Sequence, residues 1–211
     1  GLKFAVISDV RADTLDKTLE FIVSQQVEFI VLPGDYYYSR QKYYPHFEKF
    51  GFGMAPDKEP DNQRIYFAMG NHDEPPAGDG LFQKTISPCY SQNGPKDAPH
   101  GTIYSFDRGD CHFTVTNPYW DYSQGGYTAE QLDWIDQDLA DSRQPFKFVI
   151  GHEPAFPIKR HVGDSLDADS SMRDAFWDIL STNKVQAFFC GHSHHLSHLL
   201  YQGVYQVDAG E

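Results

Sequence analysis

The sequence predicts an α/β fold in which parallel strands joined by helices share the molecule with antiparallel ones. Near the start, a strand pattern, a helix pattern and a second strand pattern follow one another, the order of a parallel pair with a right-handed crossover. Five apolar runs end on glycine or serine and then a ligand-type side chain: Ser8-Asp9, Gly34-Asp35, Gly70-Asn71-His72, Gly151-His152 and Gly191-His192-Ser193-His194. Two more runs flank Asp107-Arg108-Gly109-Asp110, a hairpin signal that adds antiparallel strands.

Residues 3 to 8 are the first strand, and Asp13 opens a helix whose Leu15, Leu19, Ile22 and Val23 fall on one face. Residues 28 to 33 are the second strand, so Asp9 and Asp35 sit at one edge of the sheet. Tyr43, Tyr44, Phe47 and Phe50 outline a short helix that Gly51 and Gly53 end. After a third strand at residues 64 to 69, Pro75, Pro76, Gly78, Gly80, Gly94 and Pro99 mark a long loop, of the kind that is usually functional or mobile. The hairpin follows, with strands at residues 102 to 106 and 112 to 116. Thr128 and Gln131 then have capping-box spacing ahead of Leu132, Ile135 and Leu139, a helix ending near Ser142. Residues 146 to 150 form a strand, residues 157 to 169 a polar loop, and Met172, Phe176, Ile179 and Leu180 one face of another helix. The strand at residues 185 to 190 carries the last histidine motif, and residues 199 to 207, broken by Gly203, read as a closing hairpin.

The 211 residues, 40% apolar and 22% charged, suit one domain over residues 1–211, and the abrupt stop at Glu211 leaves room for a fold cut short of its natural C-terminal end. A net charge of -13 argues against a nucleic-acid surface, which needs clustered Lys and Arg. A small phosphate remains compatible where bound metal ions overturn the local field. No run approaches the roughly 20 apolar residues of a membrane span, and no signal peptide precedes Lys3. Cys89, Cys111 and Cys190 make no zinc-knuckle spacing. Cys190 reads as a small buried hydrophobe, and a Cys89 to Cys111 disulfide stays open. Nothing in the sequence sets an oligomeric state.

One glycine followed by Asp or His at a strand end is ordinarily a turn with a solvated side chain. Five of them point elsewhere, because parallel topology gathers the C-terminal strand edges into one crevice, where ligands bind in such sheets. Oxygen and nitrogen donors without thiolate suit Zn, Fe or Mn, and Asp35 reads as a carboxylate shared by two ions.

In this order the motifs resemble those of the calcineurin-like metallophosphoesterases, from Lys3 to about Val207. The resemblance implies a two-sheet mixed β sandwich flanked by helices, in an αββα arrangement. It also implies a binuclear centre in which Asp35 bridges, Asn71, His152 and His192 complete the second metal site, and Asp9 and His194 hold the first. Where the commonest pattern has a histidine this chain has Arg11, whose guanidinium has no acceptor and ligates no metal. The Gly34-Asp35-x-x-Tyr38 spacing is similar to the purple acid phosphatase branch, which lacks that histidine and supplies a tyrosinate. Tyr38 is therefore expected on the first metal, with two ions, Fe paired with Fe, Zn or Mn. The segment from Gly125 to Leu139 is also similar to that branch. The branch favours a periplasmic or secreted setting over a cytoplasmic one without deciding it.

The implied activity is hydrolysis of a small phosphorylated substrate, a phosphomonoester, by a metal-bound hydroxide with no protein nucleophile. His72 is expected to protonate the leaving alkoxide or bind the phosphate, and Asp73 to orient His72; Asp73 as a turn carboxylate capping backbone N–H groups is the alternative. Arg11 has three readings: a pair for Asp13 or Asp16, a clamp on the substrate phosphate, or a charge that weakens the first metal site. His195 is a candidate substrate contact, with a supporting or surface role as its alternative. His100 and His161 are candidates to border the pocket. Tyr36 and Tyr37 read as packing or wall residues, and Tyr119, Trp120, Tyr122 and Tyr127 as an aromatic rim. Two rival functions share the site: a phosphodiesterase or nucleotide hydrolase, and a non-catalytic protein-binding scaffold, which Arg11 favours and the filled ligand positions oppose.

Overall fold

A computed structural model of the chain describes residues 1–36, 40–54, 59, 61–73, 89–98, 101–120 and 125–210. In chain order the elements are β1 (Phe4–Val6), α1 (Ala12–Ser24), β2 (Phe29–Leu32), α2 (Arg40–Lys49), β3 (Ile65–Phe67), β4 (Tyr104–Arg108), β5 (Cys111–Val115), α3 (Ala129–Asp141), β6 (Phe146–Ile150), α4 (Ser170–Thr182), β7 (Ala187–Cys190), β8 (Leu196–Tyr201) and β9 (Val204–Ala209). They form two sheets. The first pairs β1, β2 and β3 in parallel, and the second runs β4-β5-β6-β7-β9-β8, parallel through β5, β6, β7 and β9 and antiparallel at both edges.

Strand alternation fixes how the sheets stack. Phe4 of β1 packs edge-on against Phe113, Phe148 and Phe189 of the second sheet at ring separations of 5.2, 5.6 and 5.9 Å. Phe29 does the same with Phe113 at 5.6 Å. Neighbouring residues must then face outwards: Ile30 and Leu32 join Leu15, Leu19 and Ile22 of α1 and Phe47 of α2 in one buried cluster. On the other sheet, Val149 and Phe188 meet Ile135 and Leu139 of α3 and Phe176, Trp177 and Leu180 of α4. The order is helix, sheet, sheet, helix, as expected from the sequence. Burying each of these large side chains contributes about 1.5 to 3 kcal/mol.

Local differences from the sequence reading have physical causes. Val23 is 45% exposed, because α1 buries a narrow stripe and position 23 lies at its margin. Arg108 does not belong to the hairpin turn: it ends β4, is buried, donates to the Gln63 carbonyl at 2.9 Å and stacks its guanidinium over Phe29. A two-residue loop, Gly109-Asp110, makes the turn instead. Thr128 caps α3 by accepting from the Gln131 N–H at 3.1 Å. Gln131 does not complete a capping box. Its amide clamps both backbone groups of Asn117 at 2.8 Å, fixing the chain where it leaves β5. The closing hairpin begins earlier and ends later than expected, with its turn at Gln202-Gly203. All three cysteines are free and buried, so no disulfide joins Cys89 to Cys111. Among the described residues no helix is long and apolar enough to cross a membrane. Tyr37, Tyr38, His100, Tyr122 and the loop positions Pro75 to Gly80 lie outside the described residues.

Candidate metal centre

The two sheets meet at the C-terminal ends of their parallel strands. Beyond β1 the chain bonds both ways: Ile7 N–H donates to Val31 of the first sheet and Ser8 N–H to Ala209 at the end of β9, each at 3.1 Å. Asp9 follows at the seam. Asp35 leaves β2, Asn71 leaves β3, His152 leaves β6, and His192 and His194 leave β7. Small residues precede them because the loops crowd together. A Cβ on Gly70 would overlap the Asp35 carboxylate and backbone, and one on Gly191 would overlap Ser8 and the Asp9 carboxylate. The backbone itself is forced: Asp9, Asp35, His192 and His194 have φ of +53°, +56°, +69° and +54°. Left-handed positions cost such residues about 1 kcal/mol or more and persist where the surroundings impose them, characteristically at functional sites.

Asp9, Asp35 and His152, all buried, offer ligand atoms within 4.8 Å of one another. On one side, His152 Nε2 lies 3.5 Å from Asp35 Oδ1 and 3.0 Å from Asn71 Oδ1. His152 Nδ1 donates to the Pro33 carbonyl at 2.7 Å, so in the neutral ring Nε2 presents its lone pair. Three acceptor atoms then converge, and a cation would satisfy them. Fixing the tautomer from the far nitrogen is the usual preparation of a metal-binding histidine. The His192 ring stands 5.0 Å from that of His152 and is hydrogen-bonded to the Asp164 backbone. On the other side, Asp9 Oδ2 accepts from the His192 N–H at 2.9 Å, while its Oδ1 is buried without a hydrogen-bond partner and faces His194 Nε2 at 3.5 Å. Ligand atoms about 2.1 Å from one ion stand about 3 to 3.5 Å apart, so the residues on both sides fit metal ions.

The model of the family described as Calcineurin-like phosphoesterase matches residues 2–196. The chain belongs to this family. It is 26% identical over 203 residues to purple acid phosphatase 22 of Arabidopsis thaliana, a match spanning 92% of this chain and 44% of that protein. The chain thus spans less than half the length of this curated relative. Its fold superposes on a dimetal phosphatase from Danio rerio with a TM-score of 0.67 at 15% identity, covering 98% of this chain and 86% of the other. It superposes equally, at 0.67 and 16% identity, on the purple acid phosphatase PPD1 of yellow lupin, covering 99% of this chain and 44% of the other.

Charges at this calcineurin-like site push on one another. Burial lowers the His152 pKa, but the Asp35 and Asp9 carboxylates and the Pro33 carbonyl outweigh it and raise the value overall. His192 is pushed down to about 3 by burial and by the neighbouring His152 and His161 rings. His194 is lowered by burial, with Arg160 and Arg11 adding to the effect and Asp9 opposing it. Asp73 is pushed up to about 7 by burial and by Asp35.

The other sequence-predicted residues are placed as follows. His72 is exposed at the rim, and its backbone N–H donates to Asp35 Oδ1 at 3.1 Å. Asp73 Oδ2 accepts from the Gly70 and Asp35 N–H groups, both at 2.7 Å, tying the β2 and β3 loops together. Those are the contacts of a turn carboxylate. Arg11 reaches His194, with Nη2 3.3 Å from Nδ1, while Asp16 pairs with His46 and Lys49 of α2. His195 donates from Nδ1 to the Ser193 carbonyl at 3.1 Å, and its Nε2 is shut away from solvent with no hydrogen-bond partner. Tyr36 is buried against Phe67, as a packing residue, and Tyr127 is buried with its hydroxyl on Thr116, so Tyr127 does not join a rim.

Two residues, Glu153 and Asp208, escaped the sequence reading. Glu153, directly after His152, is buried, accepts from the Tyr119 hydroxyl at 2.7 Å and is raised in pKa by burial. His161, a candidate from the sequence to border the pocket, packs its ring 3.9 Å from that of His192. Asp208 accepts from the Ser193 hydroxyl and from Gly210 N–H, holding the loop between His192 and His194. The sequence signal for Glu153 is its adjacency to Gly151-His152. Asp208 gives none, because it sits in an alternating strand pattern like any outward-facing residue.

Proposed function

We propose that the chain is a metal-dependent phosphomonoesterase of the purple acid phosphatase type. The observation that carries the reading is the convergence of Asp9, Asp35 and His152 within 4.8 Å, with Asn71 against His152, at the seam where the two sheets meet. Asp35, Asn71, His152 and His192 would hold one ion, and Asp9, Asp35 and His194 the other, with Tyr38 added to this second set by the resemblance to the purple acid phosphatase branch. Fe with Fe, Zn or Mn suits the donor set. Bound ions of this kind polarise a phosphoryl group and activate water.

The chain's own residues supply the rest. The Asp35 carboxylate is held by the His72 N–H and the Asp35 backbone by Asp73, so the central ligand cannot rotate freely. The His72 side chain is exposed beside Asn71, and in this reading it would meet the leaving oxygen and give it a proton. Arg11, also exposed, carries donors suited to a phosphate, and the Tyr119–Glu153 pair forms the wall behind His152. The substrate would be a small phosphorylated molecule, since the protein's charge of -13 repels an extended polyanion. Chelator-treated protein should lose activity on p-nitrophenyl phosphate and regain it on adding Fe or Mn. Faster hydrolysis of bis-p-nitrophenyl phosphate than of the monoester would replace this reading with a phosphodiesterase.

A further inference from the structure

Arg11 Nη2 lies 3.3 Å from His194 Nδ1. A guanidinium has only donors, so the contact assigns the proton: Nδ1 must accept, and a neutral His194 carries its hydrogen on Nε2. Nε2 is the nitrogen that faces Asp9 Oδ1 at 3.5 Å, where that buried oxygen has no hydrogen-bond partner. Coordination through Nε2 requires the opposite tautomer, with the lone pair on Nε2 and the hydrogen on Nδ1. The Nδ1–H and the Arg11 N–H would then point at each other. His152 is set the other way, since its Nδ1 donates to the Pro33 carbonyl at 2.7 Å and leaves Nε2 free. One half of the centre has its imidazole prepared for metal, and the other has its imidazole prepared against it.

We propose that Arg11 competes with a metal ion for His194, so that the two halves of the centre bind metal unequally. The half built from Asp35, Asn71, His152 and His192 fills first. The half built from Asp9 and His194 fills when the guanidinium lets go. Release leaves the start of α1 in place: Arg11 precedes the helix with an extended backbone, its side chain does not cap it, and the first turn is held by its carbonyl, which accepts from Leu15 N–H at 3.0 Å. Partners on the far nitrogen of a metal-binding histidine typically change metal affinity ten- to a hundredfold, and an opposing partner should act by a similar factor with the other sign.

This inference rests on the metal-centre reading and is tested separately from it. Metal-free wild type and Arg11→Ala are titrated with Mn²⁺ in a calorimeter, and the imidazole ¹⁵N spectrum of metal-free protein reports the His194 tautomer, assigned by its loss in His194→Gln. Wild type should show one tight step and a second at least about tenfold weaker, with His194 as the Nε2–H tautomer. Arg11→Ala should tighten the second step about ten- to a hundredfold and leave the first unchanged. Two equal steps in wild type, an unchanged isotherm in Arg11→Ala, or an Nδ1–H tautomer for His194 in wild type would each overturn the competition and leave the metal centre standing. Absence of binding at both halves overturns both.

Discussion

Replacing Asp138 with alanine removes the acceptor that ties α3 to the β4–β5 hairpin. Its carboxylate accepts from Ser105 at 2.5 Å, from Thr114 at 2.7 Å and from His112 Nε2 at 3.0 Å, while the other ring nitrogen of His112 meets Asp107 at 2.7 Å. The His112 and Asp138 side chains are 8% and 12% exposed, so in the wild type these bonds are made largely out of solvent. Removing one member of a buried ion pair costs about 3 to 5 kcal/mol. Here the lower end applies, because a neighbouring cavity of about 510 Å³, lined in part by Ser105, His112 and Asp138, can admit water to the stranded donors. For a chain of this size about 3 kcal/mol lowers the melting temperature by roughly 6 to 12 °C. Asp138→Asn keeps the shape but turns one acceptor into a donor, and should cost less than alanine. Calorimetric melting near pH 6 reads both. A fall of less than about 2 °C for Asp138→Ala would refute the reasoning, since it would mean the three donors find other partners at no cost.

The same network makes stability depend on pH. Burial pushes the His112 pKa down, but the Asp138 and Asp107 carboxylates outweigh it and raise it above 6.5. A raised folded-state value means that the stabilisation is complete below the unfolded value and is lost as pH rises through the folded one. The melting gap between wild type and His112→Gln should therefore be wider near pH 5.5 than near pH 8.5, and a gap that does not change with pH would contradict the ion pairs. At the metal centre, His72→Asn should cost an alkyl phosphate about 10²- to 10⁴-fold in kcat/KM and p-nitrophenyl phosphate far less, because only the alkoxide needs a proton to leave. Equal losses would assign His72 to phosphate binding. Iron-loaded protein should absorb visible light through a tyrosinate-to-iron transition that Tyr38→Phe abolishes, and a band that survives the substitution would remove Tyr38 from the ligands.

What the sequence disclosed and what it concealed divide along physical lines. Gly70 and Gly191 were legible as punctuation before ligand-type residues, and the packing explains them, since each leaves space that a carboxylate fills. The sandwich was legible through the resemblance that the motif order carries, and the packing of Phe4 and Phe29 against Phe113, Phe148 and Phe189 is how the two sheets meet. Gln131 misled, because its spacing from Thr128 fits a capping box equally well whether the side chain turns back or reaches Asn117. Arg108 also misled: turn composition placed it outside the strand, whereas its donors and the Phe29 face bury it. Asp208 comes to the centre from β9, and nothing local marks it. The contact between Arg11 and His194 spans 183 positions, so the sequence leaves three readings of Arg11 open and the fold places the two side by side.

Asp35 stands between the two halves, within 4.8 Å of ligand atoms on Asp9 and His152. Equilibrium dialysis of wild type and Asp35→Asn against saturating Mn²⁺, followed by elemental analysis, tests whether it serves both. Wild type should hold about two ions per chain and the variant fewer than one, with hydrolysis of p-nitrophenyl phosphate falling in step. A metal-free wild type that hydrolyses at full rate, or a variant that keeps its full metal content, would contradict the shared carboxylate.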